Sequence, residues 1–216
     1  MATSKKTRVA VLISGRGSNM VALIEAAKDP AYPAEIVLVL SNRPDAAGLA
    51  RAAEAGIPAR AIDHKGFSDR ASFDAALDAE LRAADIDLVC LAGFMRIFTP
   101  GFVASWAGRM LNIHPSLLPL FKGTHTHQQA LEAGVRLHGC TVHFVVPELD
   151  AGPIVAQAAI PVRQGDDPDS LADRVIVQER QLYPAVLALV AGRRARLEGD
   201  RVVIADTAPD GVLFSL

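Results

Sequence analysis

Through the first half of the chain, short apolar runs alternate with longer Ala-rich segments whose apolar residues recur at helical spacing. The pattern predicts strands at residues 8–13, 35–40, 59–62, 88–91 and 109–113, and helices at residues 19–28, 46–55, 70–84 and 99–106. Runs of four to eight apolar residues are typical of buried strands, and their alternation with helices is typical of right-handed βαβ units. The first half therefore predicts a parallel sheet.

After residue 113 the pattern changes. Strands are predicted at 142–146 and 154–160, and the turn-rich ELDAGP segment between them (148–153) is too short to hold a crossover helix. A long helix follows from about 167 to 192, with an expected kink at Pro184, and 197–204 predicts one small strand before a loose tail. The predicted fold class is α/β, Rossmann-like and doubly wound, with a mostly parallel sheet and a mixed or antiparallel C-terminal addition.

Composition and charge narrow the functional classes. Half of the 216 residues are hydrophobic, which is enough for one large core, and one domain spanning 1–216 is expected. A net charge of −2 offers no basic stripe for nucleic acid, so a small molecule is the expected partner. The polar start and the lack of any apolar run near ~18 residues predict a cytoplasmic protein that does not span a membrane. Cys90 and Cys140 lie in apolar, strand-like stretches, which favours reduced core thiols.

A glycine-containing turn, SGRGSN at residues 14–19, joins the first strand to the first helix. Unpaired N–H groups and the positive helix end at such a turn favour an anion, and Ser18 and Asn19 add side-chain donors, so we expect a monophosphate there. Tight-turn geometry alone is the competing interpretation. A dinucleotide is disfavoured, because Met20 stands where a third glycine is needed and residues 41–43 supply no carboxylate for a ribose.

Two polar residues, Asn112 and His114, lie at the end of the strand predicted at 109–113, and the alternation of the strand points them to the same side. Polar side chains in an apolar strand need partners, and the carboxyl ends of parallel strands are where such sheets build sites. Asp150 lies in the tight turn before Gly152-Pro153, which favours a carboxylate turned inward against the imidazole. A satisfied core histidine and a surface turn aspartate are the alternatives.

Four further histidines invite a metal interpretation: His125, His127, His138 and His143. Neither Cys nor carboxylate falls at a zinc-type spacing from them, so we expect no metal. The Gly- and Pro-punctuated segment 117–127 is expected to act as a mobile lid.

Six strings, in this order, carry a family resemblance: SGRGSN, LAGFMRI, LNIHPSLLPLFKG, HTHQQAL, GCTVHFV and ELDAGPI. Together they resemble the phosphoribosylglycinamide formyltransferase family, the folate-dependent formyltransferases of purine synthesis. The resemblance covers most of the chain. It implies 10-formyltetrahydrofolate as co-substrate and phosphoribosylglycinamide as acceptor, with a nucleotide-binding half at about 8–113 and a folate and catalytic half at about 114–216.

The resemblance also implies residue roles. As the catalytic set it implies Asn112, His114 and Asp150. As ribonucleotide contacts it implies Gly17, Ser18, Asn19, Met20, Val21 and Glu179. As folate contacts it implies Arg70, Met95, Arg96, Ile97, Phe98 and Asn112. Three residues depart from the family pattern, and they put loop detail in question: Arg16, Pro147 and Ala151.

The expected reaction is direct attack of an amine on the formyl carbon, which forms a tetrahedral oxyanion and needs fixed donors. Asn112 and protonated His114 meet that need, and a carboxylate at Asp150 favours the protonated imidazole. A 10-formyltetrahydrofolate hydrolase or another formyltransferase of the superfamily would use the same trio. The hydrolase and the transfer-RNA enzyme are expected to carry a further domain, and a phospho-ligand sensor would leave the trio without purpose. The sequence leaves a weak homodimer open.

Overall fold

The structure is a computed structural model that describes residues 5–205. The described residues fall into two compact units that divide between Leu111 and Asn112. Within residues 5–205, no helix combines the length and the apolarity needed to cross a bilayer.

The first unit alternates strands and helices as predicted. Its strands are β1 (Thr7–Ile13), β2 (Ala34–Ser41), β3 (Ala59–Ala61), β4 (Leu88–Leu91) and the start of β5 (Met110–His114). Its helices are α1 (Ser18–Ala27), α2 (Ala47–Glu54), α3 (Arg70–Ala83) and α4 (Pro100–Ser105), with a 3₁₀ turn at His64–Gly66. The order of hydrogen-bonded strands is β3-β2-β1-β4-β5.

The pairing of the first four strands is parallel throughout. β1 pairs in parallel with β2 and with β4, and β2 pairs in parallel with β3. Residues 9–13 of β1 are fully buried, which fits a strand covered on both faces. The carboxyl ends of these strands consequently meet at one edge, where the loop after β1 begins.

Side-chain caps fix the starts of α3 and α4. Asp69 accepts from the Ser72 backbone N–H at the start of α3, and Thr99 accepts from that of Phe102 at the start of α4. Pro100 occupies the first turn of α4, where its missing N–H costs nothing. Both the threonine cap and the proline position are as the sequence predicts.

The second unit combines the rest of β5 with two antiparallel strand pairs and two helices. Its further elements are α5 (Thr126–Glu132), β6 (Leu137–Phe144), β7 (Ile154–Pro161), α6 (Pro168–Ala191), β8 (Ala195–Glu198) and β9 (Arg201–Ile204). The strand order is β5-β6-β7, and β6 pairs antiparallel with β7. The predicted fold class, a mostly parallel Rossmann-like α/β sheet with an antiparallel addition, is confirmed.

The long helix α6 begins with a capping box in which Asp167 and Ser170 bond each other's backbone N–H. Its buried residues recur every three or four positions and face β6 and β7: Leu171, Val175, Glu179, Leu182, Tyr183, Val186 and Leu187. Helix α6 continues through Pro184.

Three local predictions differ from the structure. β6 begins at Leu137 rather than near 142, because the chain from 137 already pairs with β7, whose end at Pro161 lies opposite. Helix α5 is not among the predicted helices, since its seven residues follow a segment punctuated by Pro119 and Gly123 and have no side-chain cap. The region 197–204 is not one strand, because Gly199, with φ +58, turns the chain into the β8–β9 hairpin. The tail predicted beyond residue 204 lies outside the described residues, which end at 205.

Candidate active site

A buried histidine and aspartate face each other in the second unit. His114 Nδ1 lies 3.5 Å from Asp150 Oδ2, and the two side chains are 5% and 7% exposed. Asp150 has a φ of +49, a left-handed conformation that aspartate tolerates better than most residues. Its Oδ2 also accepts a 2.8 Å hydrogen bond from the Gly123 backbone N–H. The carboxylate therefore turns inward against the imidazole, as the sequence predicts.

The other nitrogen of the His114 ring determines its tautomer. Nε2 lies 2.9 Å from the carbonyl oxygen of Phe121, and a carbonyl can only accept, so Nε2 carries the proton. Nδ1 then faces Asp150, and a second proton taken up there would point at the carboxylate. Phe121 itself has a φ of +55, so its carbonyl is aimed by an unusual backbone conformation.

Asn112 is connected to this pair through His143, which the sequence pattern does not indicate as a catalytic residue. Its Nδ2 lies 3.2 Å from His143 Nε2, and His143 Nε2 lies 3.9 Å from Asp150 Oδ1. His143 Nδ1 donates to the carbonyl of its neighbour Phe144 at 2.9 Å, which leaves Nε2 as an acceptor for the Asn112 amide. Burial, above all, lowers the pKa of His143 and so favours this neutral form.

The four side chains form one group, which we call the His114 cluster: half-buried Asn112 with the buried side chains of His114, His143 and Asp150. The sequence pattern indicated His143 only as a possible metal ligand. A signal was present, because Thr141 and His143 are polar residues two apart in an apolar strand, the same spacing that singled out Asn112 and His114. Such a cluster can orient an imidazole and present N–H donors in a site shielded from water.

The loop between β1 and α1, predicted to hold an anion, ends in a left-handed glycine. Gly17 stands at the N-cap with φ +70, so the loop needs a residue that adopts left-handed backbone without strain. N–H groups in the first turn of a helix lie at its positive end, which favours an anion. Met20 is fully buried, while Ser18 is half-buried and Arg16 is exposed.

Gly48 supports this loop and was not identified from the sequence. Its N–H donates to the carbonyl of Gly15 at 3.0 Å. A Cβ at position 48 would lie 2.5 Å from Ile13 and 3.2 Å from the Cα of Gly17, so helix α2 packs directly against the loop. A side chain at position 48 would therefore require Ile13 and the loop to shift.

The predicted folate segment follows β4 in the first unit. Met95 and Ile97 are 65% and 52% exposed, whereas Phe98 is buried between Phe94 and Phe102, with ring centroids 5.3 and 4.5 Å away. The guanidinium of Arg96 lies 5.1 Å from the ring centroid of Phe73 on α3. Met95 and Ile97 are therefore accessible, and Phe98 belongs to the packing beneath them.

Two predicted contacts lie elsewhere in their units. Arg70 is the exposed first residue of α3. Glu179 is a buried residue of α6, and its charge adds to burial in raising the pKa of the Cys140 thiol to about 12. Cys90 and Cys140 are both buried thiols, as predicted.

A second histidine pair lies beside the His114 cluster. His127 Nδ1 and His138 Nε2 are 3.1 Å apart, and the ring of Phe121 lies 6.1 Å from that of His138. Burial, together with the charges of His127 and His114, lowers the pKa of His138 to about 4. Among residues 5–205, no three His, Cys, Asp or Glu side chains are grouped to hold a metal ion.

Comparison with known proteins identifies the family. A formyl transferase family model matches residues 7–187. The phosphoribosylglycinamide formyltransferase of Escherichia coli K12 is 47% identical over 189 residues, covering 88% of this chain and 89% of that protein. The human trifunctional purine biosynthetic protein adenosine-3 is 53% identical over 193 residues, 89% of this chain. The chain spans only 19% of that relative's length.

Solved structures agree. The crystal structure of glycinamide ribonucleotide transformylase 1 from Symbiobacterium toebii superposes with a TM-score of 0.91 at 42% identity, covering 95% of this chain and 100% of that one. The phosphoribosylglycinamide formyltransferase of Coxiella burnetii superposes with a TM-score of 0.89, also at 42% identity, covering 93% and 94% of the two chains. This chain therefore belongs to the formyl transferase family, among the phosphoribosylglycinamide formyltransferases.

Proposed function

We propose that this chain transfers the formyl group of 10-formyltetrahydrofolate to the amine of phosphoribosylglycinamide in purine synthesis. The observation that carries the proposal is the His114 cluster, a buried imidazole held between a carboxylate and a carbonyl, with an asparagine amide beside it. Membership of the formyl transferase family supports the choice of formyl donor, and similarity to the phosphoribosylglycinamide formyltransferase of Escherichia coli supports the choice of acceptor.

The first chemical step is attack of the free amine on the formyl carbon. A C–N bond forms, and the formyl oxygen becomes an oxyanion that needs N–H donors already in place. His114 Nε2 and the Asn112 amide are the donors that the cluster offers. His114 Nε2 already donates to a carbonyl oxygen, that of Phe121, and the formyl oxygen would take over this N–H during the reaction.

Asp150 has a supporting role in this proposal. It lies against His114 Nδ1, so it holds the ring in the orientation that aims the Nε2–H at the oxyanion. Collapse of the intermediate breaks the bond to the folate nitrogen, which takes a proton as it leaves, while the attacking nitrogen loses one. The chemistry needs no covalent bond to the protein.

Substrate binding is assigned by resemblance together with local geometry. The ribonucleotide phosphate binds the loop at 14–19 and the start of α1, with Glu179 as a further contact of that substrate. The pterin of the folate binds the exposed part of segment 95–98 and Asn112, and Arg70 contacts the folate tail. From the resemblance we also propose a nucleotide-binding half at about 8–113 and a folate and catalytic half at about 114–216, in a cytoplasmic enzyme. Each half lends contacts to the other substrate, since the segment 95–98 precedes this boundary and Glu179 follows it.

The test is a turnover assay with the folate and the ribonucleotide supplied together and separately. Formyl-folate should be consumed only when the ribonucleotide is present, and His114→Ala should lower turnover by about 10²-fold or more without unfolding the chain. His127→Gln is the matched control, a nearby histidine outside the cluster, and should stay within about threefold of the wild type. Consumption without the ribonucleotide would indicate a hydrolase instead. Normal turnover by folded His114→Ala would exclude the role of His114.

A further inference from the structure

One buried hydroxyl joins three neighbouring strand ends in the first unit. Ser14 follows the last residue of β1, the central strand of the order β2-β1-β4, and is 5% exposed. Its Oγ accepts a 2.7 Å hydrogen bond from the Met95 backbone N–H, in the segment after β4. The same Oγ donates to Asn42 Oδ1 at 2.5 Å, directly after β2.

The two ends of this connection belong to different proposed binding sites. Ser14 directly precedes Gly15, so its position sets where the phosphate loop begins. Met95 is the first exposed residue of the proposed folate segment. A serine hydroxyl has one donor and two acceptor sites, so it can hold both partners at once, and an alanine can hold neither.

We propose that Ser14 is a positioning residue that holds the phosphate loop and the folate segment in register with each other. The proposal rests on the function proposed above and adds one specific claim to it. A buried side chain that touches neither substrate sets the affinity for both. Asn42 is 2% exposed, and its backbone carbonyl oxygen accepts a 2.7 Å hydrogen bond from His64 Nδ1, which connects Asn42 to the 3₁₀ turn.

Loss of the hydroxyl has a defined consequence. In Ser14→Ala the part-buried Met95 N–H and the buried Asn42 Oδ1 both lose their partner, and polar groups left unpaired away from water are costly. The chain relieves this by moving Met95 and residue 14 apart, which displaces both binding segments. The His114 cluster lies in the other unit and makes its own hydrogen bonds, so the chemical step stays intact once both substrates are bound.

Steady-state kinetics with both substrates test the proposal. In Ser14→Ala, the KM of the ribonucleotide and that of the folate should each rise about fivefold or more, the scale of one lost buried hydrogen bond. Its kcat should remain within about twofold of the wild type, the pattern of lost uniform binding. Ser14→Thr keeps the hydroxyl and should restore both KM values.

Ser41→Ala is the matched control. Ser41 is 1% exposed at the end of β2, but its hydroxyl bonds only to the backbone of Arg43 in the described contacts. Both KM values should stay near the wild type in this variant. If Ser14→Ala does not fold, Ser14→Cys replaces the hydroxyl by a thiol of similar size that is a weak donor and acceptor, and it should show the same two increases.

Amide hydrogen exchange gives a second measurement. The Met95 N–H should exchange faster in Ser14→Ala than in Ser41→Ala. A rise in one KM alone, unchanged KM values, or equal effects of the Ser14 and Ser41 variants would overturn the positioning role. A wild-type chain without ribonucleotide-dependent turnover would overturn the proposed function and this inference together, so the two failures are distinguishable.

Discussion

The buried histidine pair beside the His114 cluster predicts how stability depends on pH. His138 is fully buried, and its pKa falls from 6.5 to about 4, first because of burial and then because of the charges of His127 and His114. The unfolded chain therefore binds a proton at a higher pH than the folded chain does. The stabilisation that neutral His138 gives the folded chain is therefore complete above about pH 6.5, and it is lost as the pH falls toward 4.

The magnitude follows from the two pKa values. Each pH unit between them changes the free energy of unfolding by about 1.4 kcal/mol, so the full interval corresponds to roughly 3 kcal/mol. His138→Gln keeps a polar group that can hydrogen-bond His127 but cannot take up a proton. The stability of the wild type relative to this variant should therefore fall by that amount between pH 7 and pH 4.

Urea unfolding of both proteins at half-unit pH steps measures this difference directly. Other titrating groups, including His143 with its lowered pKa, are common to both chains and cancel in the comparison. His64→Gln is a control, because that histidine lies in the other unit. Parallel stability curves for the wild type and His138→Gln would refute the reasoning, as would a difference that grows toward acid pH in favour of the wild type.

Three further predictions concern the proposed sites. Gly17→Val should raise the KM of the ribonucleotide far more than that of the folate, because Gly17 has φ +70 and a side chain there would also block the phosphate. Equal increases in the two KM values would mean that the loop only supports the fold. Gly152→Ala should lower both kcat and stability, because its Cβ would lie 1.7 Å from the Phe144 carbonyl oxygen and would displace the turn that holds Asp150. Gly66→Ala is the control, since the space around its Cβ is open. A wild-type kcat in Gly152→Ala would contradict the prediction. His143→Phe should lower kcat by about tenfold or more, because the Asn112 amide loses the acceptor that orients it, and an unaffected kcat would remove His143 from the cluster.

Sequence patterning predicted the first unit well because hydrophobic periodicity and punctuation agree there. The strand at 88–91 matches β4 residue for residue, and Thr99-Pro100 marks the start of α4 by a cap and a fixed φ. Such signals are local. Where the deciding interaction was distant in sequence, prediction failed: residues 137–141 became part of β6 because they pair with residues 157–161 on β7.

The site was predictable to the extent that polar residues interrupt an apolar strand. Asn112 and His114 stood out for that reason, and Asp150 stood out through its turn. His143 was missed because its role depends on a hydrogen bond from Asn112, 31 residues earlier in the chain. Gly48 was missed because its contact with the Gly15–Gly17 loop depends on how α2 packs, which no local pattern encodes.

The central claim is that this chain moves a formyl group from the folate to the ribonucleotide amine through the His114 cluster. The most direct measurement follows a ¹³C label in the formyl group of 10-formyltetrahydrofolate by NMR, with the ribonucleotide present, for the wild type and for His114→Ala. We predict that the label appears in the formamide of the ribonucleotide product with the wild type, and that its rate of appearance is about 10²-fold lower with the variant. Label recovered as free formate, or equal rates in the two folded proteins, would contradict the account.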